Sequence, residues 1–344
     1  MTEATIRELD PADGDLVAGA FEVLRAAHEA DCPESPAHHR GKFIAGLSYP
    51  PPDERHLTFV AELDGEVAGL LEIGLPSREN LHFGWADIYV RPDLRRRGVG
   101  TALYDHFIAL GRAEGRTDLS VQTRMTWEDG VKRSDEGQRF LEKRGLKLAL
   151  TSINRSCAVD ALDPAVEQDL LAQARTAAGE DYEIISWIGR TPDELMETMA
   201  RIDSTILAEV PLGDLELEPE HIDVELKQAK AERNEAMGVI PVQTVARHRA
   251  SGEVVANTAV FCYDDHTYPE AFQGITIVDK DHRGHRLGLL LKLENLLLVR
   301  ENFPGVRRIW TDNADVNAPM IGINVTLGYE IVDAIGEFLY KAES

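Results

Sequence analysis

The sequence predicts an α/β fold made twice, as two tandem domains in which hairpins lead into a strand–glycine turn–helix unit. Three observations carry this. Residues 85–110 read as a strand, a basic glycine-bearing turn and an amphipathic helix. The same order of elements starts again after residue 180. Three landmarks keep a nearly constant offset: Gly65 to Gly252 is 187, Gly100 to Gly288 is 188, and Gly145 to Gly328 is 183. A repeat of that length is duplication of a whole domain. A chain of 344 residues is long enough for two domains, each burying its own core.

Thr5-Ile6-Arg7 opens a first strand, and Val17, Phe21, Val23 and Leu24 follow with helical spacing. Five prolines between Cys32 and Arg55 make that segment a loop or a broken helix. Asp64-Gly65 between two apolar runs signals a hairpin. Ala86, Ile88 and Val90 then alternate with Trp85, Asp87 and Tyr89 as in a strand, and Val99, Leu103, Phe107 and Leu110 form one buried helical stripe. Leu119–Val121 is a further strand, a helix carries Phe140 and Leu141 to Gly145, and a strand pair is expected from Leu148 through Ile153 to Val159. The domains are placed at 1–160 and 181–344, with an acidic helical connector at 161–180.

In the second half Tyr182–Trp187 is a strand and Thr191-Pro192 starts a helix. Ser251-Gly252 turns a hairpin, and Ile275–Val278 is the strand before Arg283-Gly284-His285-Arg286-Leu287-Gly288. Arg308–Thr311 is the next strand, and Asn317 starts the last short helix.

The stretch Tyr89 to Leu103 organises the rest. A helix that opens on glycines directs unpaired N–H groups and the positive end of its dipole at one point. Gly98 and Gly100 leave room for a ligand, while Arg95, Arg96 and Arg97 supply charge-assisted donors. Such a turn suits a pyrophosphate or simply caps a helix in solvent. A P-loop would need Gly-Lys-Ser/Thr where Gly98-Val99-Gly100-Thr101 stands, and a dinucleotide fingerprint would need glycine at Leu103. Both are excluded.

The net charge of −24 disfavours nucleic acid and anionic membranes as partners. It fits a cationic amine substrate or an acidic, soluble surface. There is no run of eighteen apolar residues and no basic-then-apolar leader, so a cytoplasmic location is expected. Cys32, Cys157 and Cys262 are too few and too scattered for a disulfide framework or zinc cluster. Asp264, Asp265 and His266 are consecutive in a turn and do not converge on one ion. No metal is expected.

The sequence Arg95-x-x-Gly98-x-Gly100 resembles the acetyl-CoA loop of the GNAT N-acetyltransferase superfamily, Arg/Gln-x-x-Gly-x-Gly/Ala, and matches it completely. The resemblance covers nearly the whole chain, once per half, in the tandem arrangement of mycothiol-synthase-like proteins. It implies, for each half, a mixed, mostly antiparallel central sheet flanked by helices. It also implies an acetyl-CoA-dependent N-acetyltransferase working on a small-molecule amine as monomer or homodimer.

On that resemblance the cofactor would meet Tyr89, Val90, Arg95, Arg96, Arg97, Gly98, Val99, Gly100 and Thr101 in the first half. In the second it would meet Ile277, Val278, Arg283, Gly284, His285, Arg286, Leu287 and Gly288, with Asn317 on the pantetheine arm. Two departures stand out. Arg286 replaces the first glycine of the second loop, and the family's acidic tyrosine is replaced by Leu141 and Asn324.

Transfer to an amine needs a base, an oxyanion donor and positioning. Backbone N–H groups near Tyr89-Val90 and Ile277-Val278 are the expected donors. Asp87 and Glu270 are the candidate bases, each alternatively a solvent-facing residue. The acidic stretch 212–220 is either a wall for a cationic amine or a solvated loop. A protein lysine acetyltransferase and a non-catalytic acyl-CoA sensor remain as alternatives.

Overall fold

The computed structural model describes residues 4–342 and divides into two compact units. Unit 1 comprises Met1–Thr151, Leu212–Glu218 and Asp333–Ser344. Unit 2 comprises Ser152–Pro211 and Pro219–Val332.

Unit 1 contains β1 (Thr5–Glu8), α1 (Gly14–Asp31), α2 (Arg40–Ser48), β2 (Glu54–Leu63), β3 (Glu66–Pro76), β4 (Phe83–Val90), α3 (Val99–Ala113), β5 (Asp118–Met125) and α4 (Glu136–Glu142). Strand β6 (Lys147–Ala158) begins in unit 1 and passes into unit 2. Unit 2 continues with α5 (Pro164–Ala178), β7 (Tyr182–Ile188), α6 (Asp193–Asp203), α7 (Ile206–Glu209), α8 (Val224–Ala236), β8 (Val239–His248), β9 (Val254–Tyr263), β10 (Glu270–Val278), α9 (Leu287–Asn302), β11 (Arg308–Ala314) and α10 (Ala318–Thr326). Strand β12 (Glu330–Lys341) passes back, its residues from Asp333 belonging to unit 1.

In unit 1 the strands lie in the order β1-β2-β3-β4-β5-β12, antiparallel except for the parallel pair β4/β5. In unit 2 the order is β7-β8-β9-β10-β11-β6, with β10/β11 the parallel pair. Each unit thus has a mixed, mostly antiparallel sheet. The strand pair expected between Leu148 and Val159 is instead one continuous strand, β6, because no glycine or proline interrupts it.

Alternation along the strands sorts the side chains of unit 1 onto two faces. Leu71, Ile73 and Ala86 pack with Val99, Leu103 and Phe107 of α3. Val60, Leu70 and Tyr89 pack with Leu16, Val23 and Leu24 of α1. In unit 2, α9 carries Leu289, Leu293, Leu296 and Val299 onto Val242, Val260 and Ile309. On its other face α6 sets Leu195, Met199 and Ile202 against Val245.

Both parallel pairs separate. β4 and β5 are bonded only from Phe83↔Asp118 to Ala86↔Val121, although β4 stays paired with β3 to Val90. β5 meanwhile stays paired with β12 to Met125. β10 and β11 are bonded only from Glu270↔Arg308 to Phe272↔Trp310. Each strand keeps its outer partner, with one bulge in the β10/β9 ladder, so backbone bonding is lost mainly on the sides that face the gap.

Candidate active site

The two gaps present matching backbone. Arg91 N–H donates to Ala68 of β3, so alternation turns Val90 and Ile88 towards the gap. Asp279 N–H donates to Val255 of β9, so Val278 faces the second gap. Tyr89 and Ile277 direct their backbone groups at the neighbouring strand, leaving Val90 and Val278 as the donors available there. A bulge between Gln273 and Thr276 further disturbs the β10/β9 ladder.

Beyond each strand a three-residue 3-10 turn leads into the loop. Arg96 and Gly98 take left-handed φ of 63° and 93°, and helix α3 starts at Val99 with no side chain capping it. In the second loop Gly284 and Arg286 take φ of 91° and 54°, and α9 starts uncapped at Leu287. Glycine and arginine have exchanged places across one backbone shape. Arg286 does not disturb it, since its guanidinium is bonded to Gln173 Oε1 at 3.0 Å.

The two loops use their cations differently. In the first, Arg95 is bonded to Asp31, Arg97 to Asp64 and Arg96 faces Glu136 at 3.8 Å. Thr101 Oγ1 accepts from Arg144. Gly100 has ordinary contact distances to Val90 and Phe140, so only a small side chain would fit there. In the second, a cleft of about 570 Å³ opens at the helix N-terminus between Val278, Arg283, Arg286, Gly288, Gly322 and Ile323. Tyr182 bonds His282 Nδ1 at 2.9 Å and has His285 beside its ring. The uncapped N–H groups, the cleft and its arginines suit a pyrophosphate. Asn317 caps α10 by accepting from Met320 N at 3.4 Å.

On the α1 face of unit 1 the sheet carries a row of acids. Thr58, Glu72 and Asp87 are register partners across β2, β3 and β4, and Gln122 and Glu337 are partners across β5 and β12. Gln122 Nε2 donates to Asp87 Oδ1 at 2.8 Å, bridging the mouth of the gap. Loss of water around Glu72, helped by the charge of Asp87, pushes its carboxyl up to about 7. Burial also raises Asp87 against the pull of Gln122, and raises Glu337 against the hydroxyl of Ser120. Tyr89 lies beside this row and its phenol is raised by burial first and then by Asp87 and Glu72.

Asp87 therefore stands at the gap, and Glu72, which alternation alone does not single out, stands directly opposite it. Glu270 begins β10 at the closed end of its strand pair, where its carboxylate accepts from Trp310 Nε1 at 2.6 Å. The acidic stretch of unit 1 is a tethered strap. Asn80 exchanges two hydrogen bonds with Glu218, at 3.0 and 2.7 Å, and Glu216 is paired with Lys341. Leu215 and Leu217 pack near Trp85 and Leu339. Among the described residues no group of three or more His, Cys, Asp or Glu could hold a metal ion, and no helix is long and apolar enough to cross a membrane.

Residues 21–145 match the model of the acetyltransferase (GNAT) family. The chain is 31% identical over 189 residues to a mycothiol acetyltransferase of Nocardia farcinica. That match covers 54% of this chain and 56% of the relative, so the chain spans a little over half of that protein's length. A tandem GNAT protein from the clavulanic acid biosynthesis pathway superposes over 99% of both chains, with TM-score 0.84 and 26% identity. A GCN5-related N-acetyltransferase from Sphaerobacter thermophilus shares the fold, with TM-score 0.64 and 16% identity over 98% of this chain and 95% of that one.

Residues 21–145, which hold the parting strand pair and the glycine-bearing loop after it, are thus similar to the GNAT acetyltransferase family. The chain as a whole has the tandem GNAT fold, with a second unit of the same design.

Proposed function

We propose that the chain is an acetyl-CoA-dependent N-acetyltransferase that acylates a primary amine of a small, cationic metabolite by direct attack in a ternary complex. The observation that carries this is the row Glu72–Asp87 beside the mouth of the β4/β5 gap, on the face opposite the loop and α3. Acetyl-CoA supplies a thioester carbonyl. For the acyl-CoA that reacts beside this row, the uncapped N–H groups at the start of α3 hold the pyrophosphate, and the cleft at the start of α9 is a second acyl-CoA site within unit 2.

The chemistry of the residues follows from their surroundings. Two carboxylates directly opposite on neighbouring strands repel, so the pair favours a cation or a shared proton. An ammonium group satisfies the pair, and Glu72, raised towards neutrality, is poised to take its proton. Gln122 fixes Asp87 and leaves Glu72 as the mobile base. The Val90 N–H supplies the oxyanion donor. The base assignment thus moves to Glu72 with Asp87, and Glu270 is assigned to holding Trp310.

The test is a thiol-release assay with acetyl-CoA and a panel of primary amines. Release above hydrolysis, greatest for amines with a second positive charge and lost in Glu72→Gln, supports the proposal. Acetyl-CoA binding with no release for any amine would favour a non-catalytic sensor. Release only with lysine peptides would favour a protein acetyltransferase.

A further inference from the structure

Resting on that reading, we propose that the first arginine of each loop is a positioning residue, a strut that ties the acyl-CoA loop to the end of a helix on the acceptor side. Acyl-CoA binding and closure of the acceptor side are then coupled through it. The sequence suggests phosphate contact for Arg95 and Arg283, yet three nitrogens of Arg95 and two of Arg283 are already engaged. Arg95 Nε donates to the Val90 carbonyl at 3.3 Å, and its Nη1 and Nη2 take both oxygens of Asp31, at 2.8 and 2.6 Å. Arg283 Nε donates to the Val278 carbonyl at 3.1 Å, and its Nη2 takes Glu209 Oε2 at 2.8 Å.

The two bridges are built alike, 188 residues apart at both the arginine and the valine. In both, the carboxylate is the last residue of a helix: Asp31 of α1 and Glu209 of α7. A carboxylate at the C-terminus of an 18-residue helix opposes the helix dipole. Arg133, which also donates to the Asp31 carbonyl at 3.1 Å, adds a second cation there. Local stability does not explain an acid in that place, whereas a link to the loop does.

Partly exposed ion pairs add little to global stability. Both pairs are of that kind, Asp31 being 43% and Glu209 39% exposed at the side chain. Their value lies in geometry. The Val90 and Val278 carbonyls belong to the strand ends that border the gaps, so the strut joins three parts: gap, loop and helix end. The segment after Asp31 leads to Cys32, 3.5 Å from His28 Nδ1, and to His38, whose ring meets Tyr89. Movement at the loop therefore reaches the α1 side of the Glu72–Asp87 row. The anion itself falls to backbone N–H groups and the remaining cations.

The test is hydrogen exchange of full-length protein with coenzyme A as the probe, beside calorimetry of the same samples. In wild type, coenzyme A should slow exchange at residues 32–38 and 206–211 at least threefold. Asp31→Asn should abolish the slowing at 32–38 alone, Glu209→Gln that at 206–211 alone, and Asp31→Glu should restore part of it. Each variant should bind coenzyme A within about threefold of wild type, a separation that a merely structural role would not produce. Binding without slowing in wild type, or slowing that survives Asp31→Asn and Glu209→Gln, overturns the strut and leaves the acyl-CoA reading standing. No binding by wild type overturns both.

Discussion

Glu72 and Asp87 face each other across β3 and β4, where a like-charged cross-strand pair is destabilising unless something sits between them. Removing Glu72 should therefore separate function from stability. Glu72→Gln is expected to lower kcat by about 10²–10⁴-fold, with little change in acetyl-CoA binding. The wild-type rate should rise through about pH 7 as Glu72 ionises, and that limb should vanish in the variant.

The same substitution should stabilise the fold at alkaline pH. The folded carboxyl keeps its proton to about 7, against an ordinary value of 4.5. Between these pH values the unfolded chain binds fewer protons than the native one, so stability falls as pH rises. Glu72→Gln should melt higher than wild type at pH 8, by on the order of 1–3 kcal/mol, and match it near pH 4. Thermal melts at the two pH values decide this.

Lys292 of α9 is 3% exposed and donates to Asn324 Oδ1 at 2.6 Å, with the Tyr329 ring beside it. Burial pulls its amine down to about 7 from an ordinary 10.5. Between those values the unfolded chain binds a proton that the native one lacks, so stability should rise with pH from 7 to 10. Lys292→Met should flatten that slope in denaturant titrations.

Arg133 donates to Asp333 at 2.7 Å with side-chain exposures of only 4% and 0%. Arg133→Met strips a buried carboxylate of one of its two arginines, Arg124 being the other. The expected cost is about 3–5 kcal/mol, and the melting temperature should fall roughly 2–4 °C for each of them.

The exchange of glycine and arginine between the loops can be tested directly. Gly98→Arg reproduces what Arg286 already does, and a Cβ there meets open space. It should fold at a cost of about 1–2 kcal/mol, whereas Gly98→Val should cost more because β-branched residues resist φ near 93°.

Local signals carried much of this fold. Asp64-Gly65 and Ser251-Gly252 turn hairpins, Asn317 caps α10, and the glycine loops open α3 and α9, because turns and caps depend on residues a few positions apart. Register does not. Glu72 lies just past an apolar run, and only the pairing of β3 with β4 sets it against Asp87. Strand β12 pairs with β5 from the far end of the chain, bringing Asp333 and Glu337 to unit 1. Nothing in their spacing announces it. Arg95 is read from its motif as a phosphate ligand, and its hold on Asp31 appears only once α1 has been placed.

The most direct measurement is acetyl-CoA titration calorimetry on wild type, Gly100→Trp and Gly288→Trp. Neither glycine has positive φ, but a Cβ at Gly288 stands 3.1 Å from Ile323 and one at Gly100 touches Val90 and Phe140, so a tryptophan blocks either loop by displacing these neighbours, and a thermal melt of each variant checks that it is folded. Wild type should bind, Gly288→Trp should lose at least tenfold in affinity at the second loop, and Gly100→Trp should act on the first loop alone. No binding by wild type, or binding untouched by both substitutions, would contradict the acyl-CoA reading.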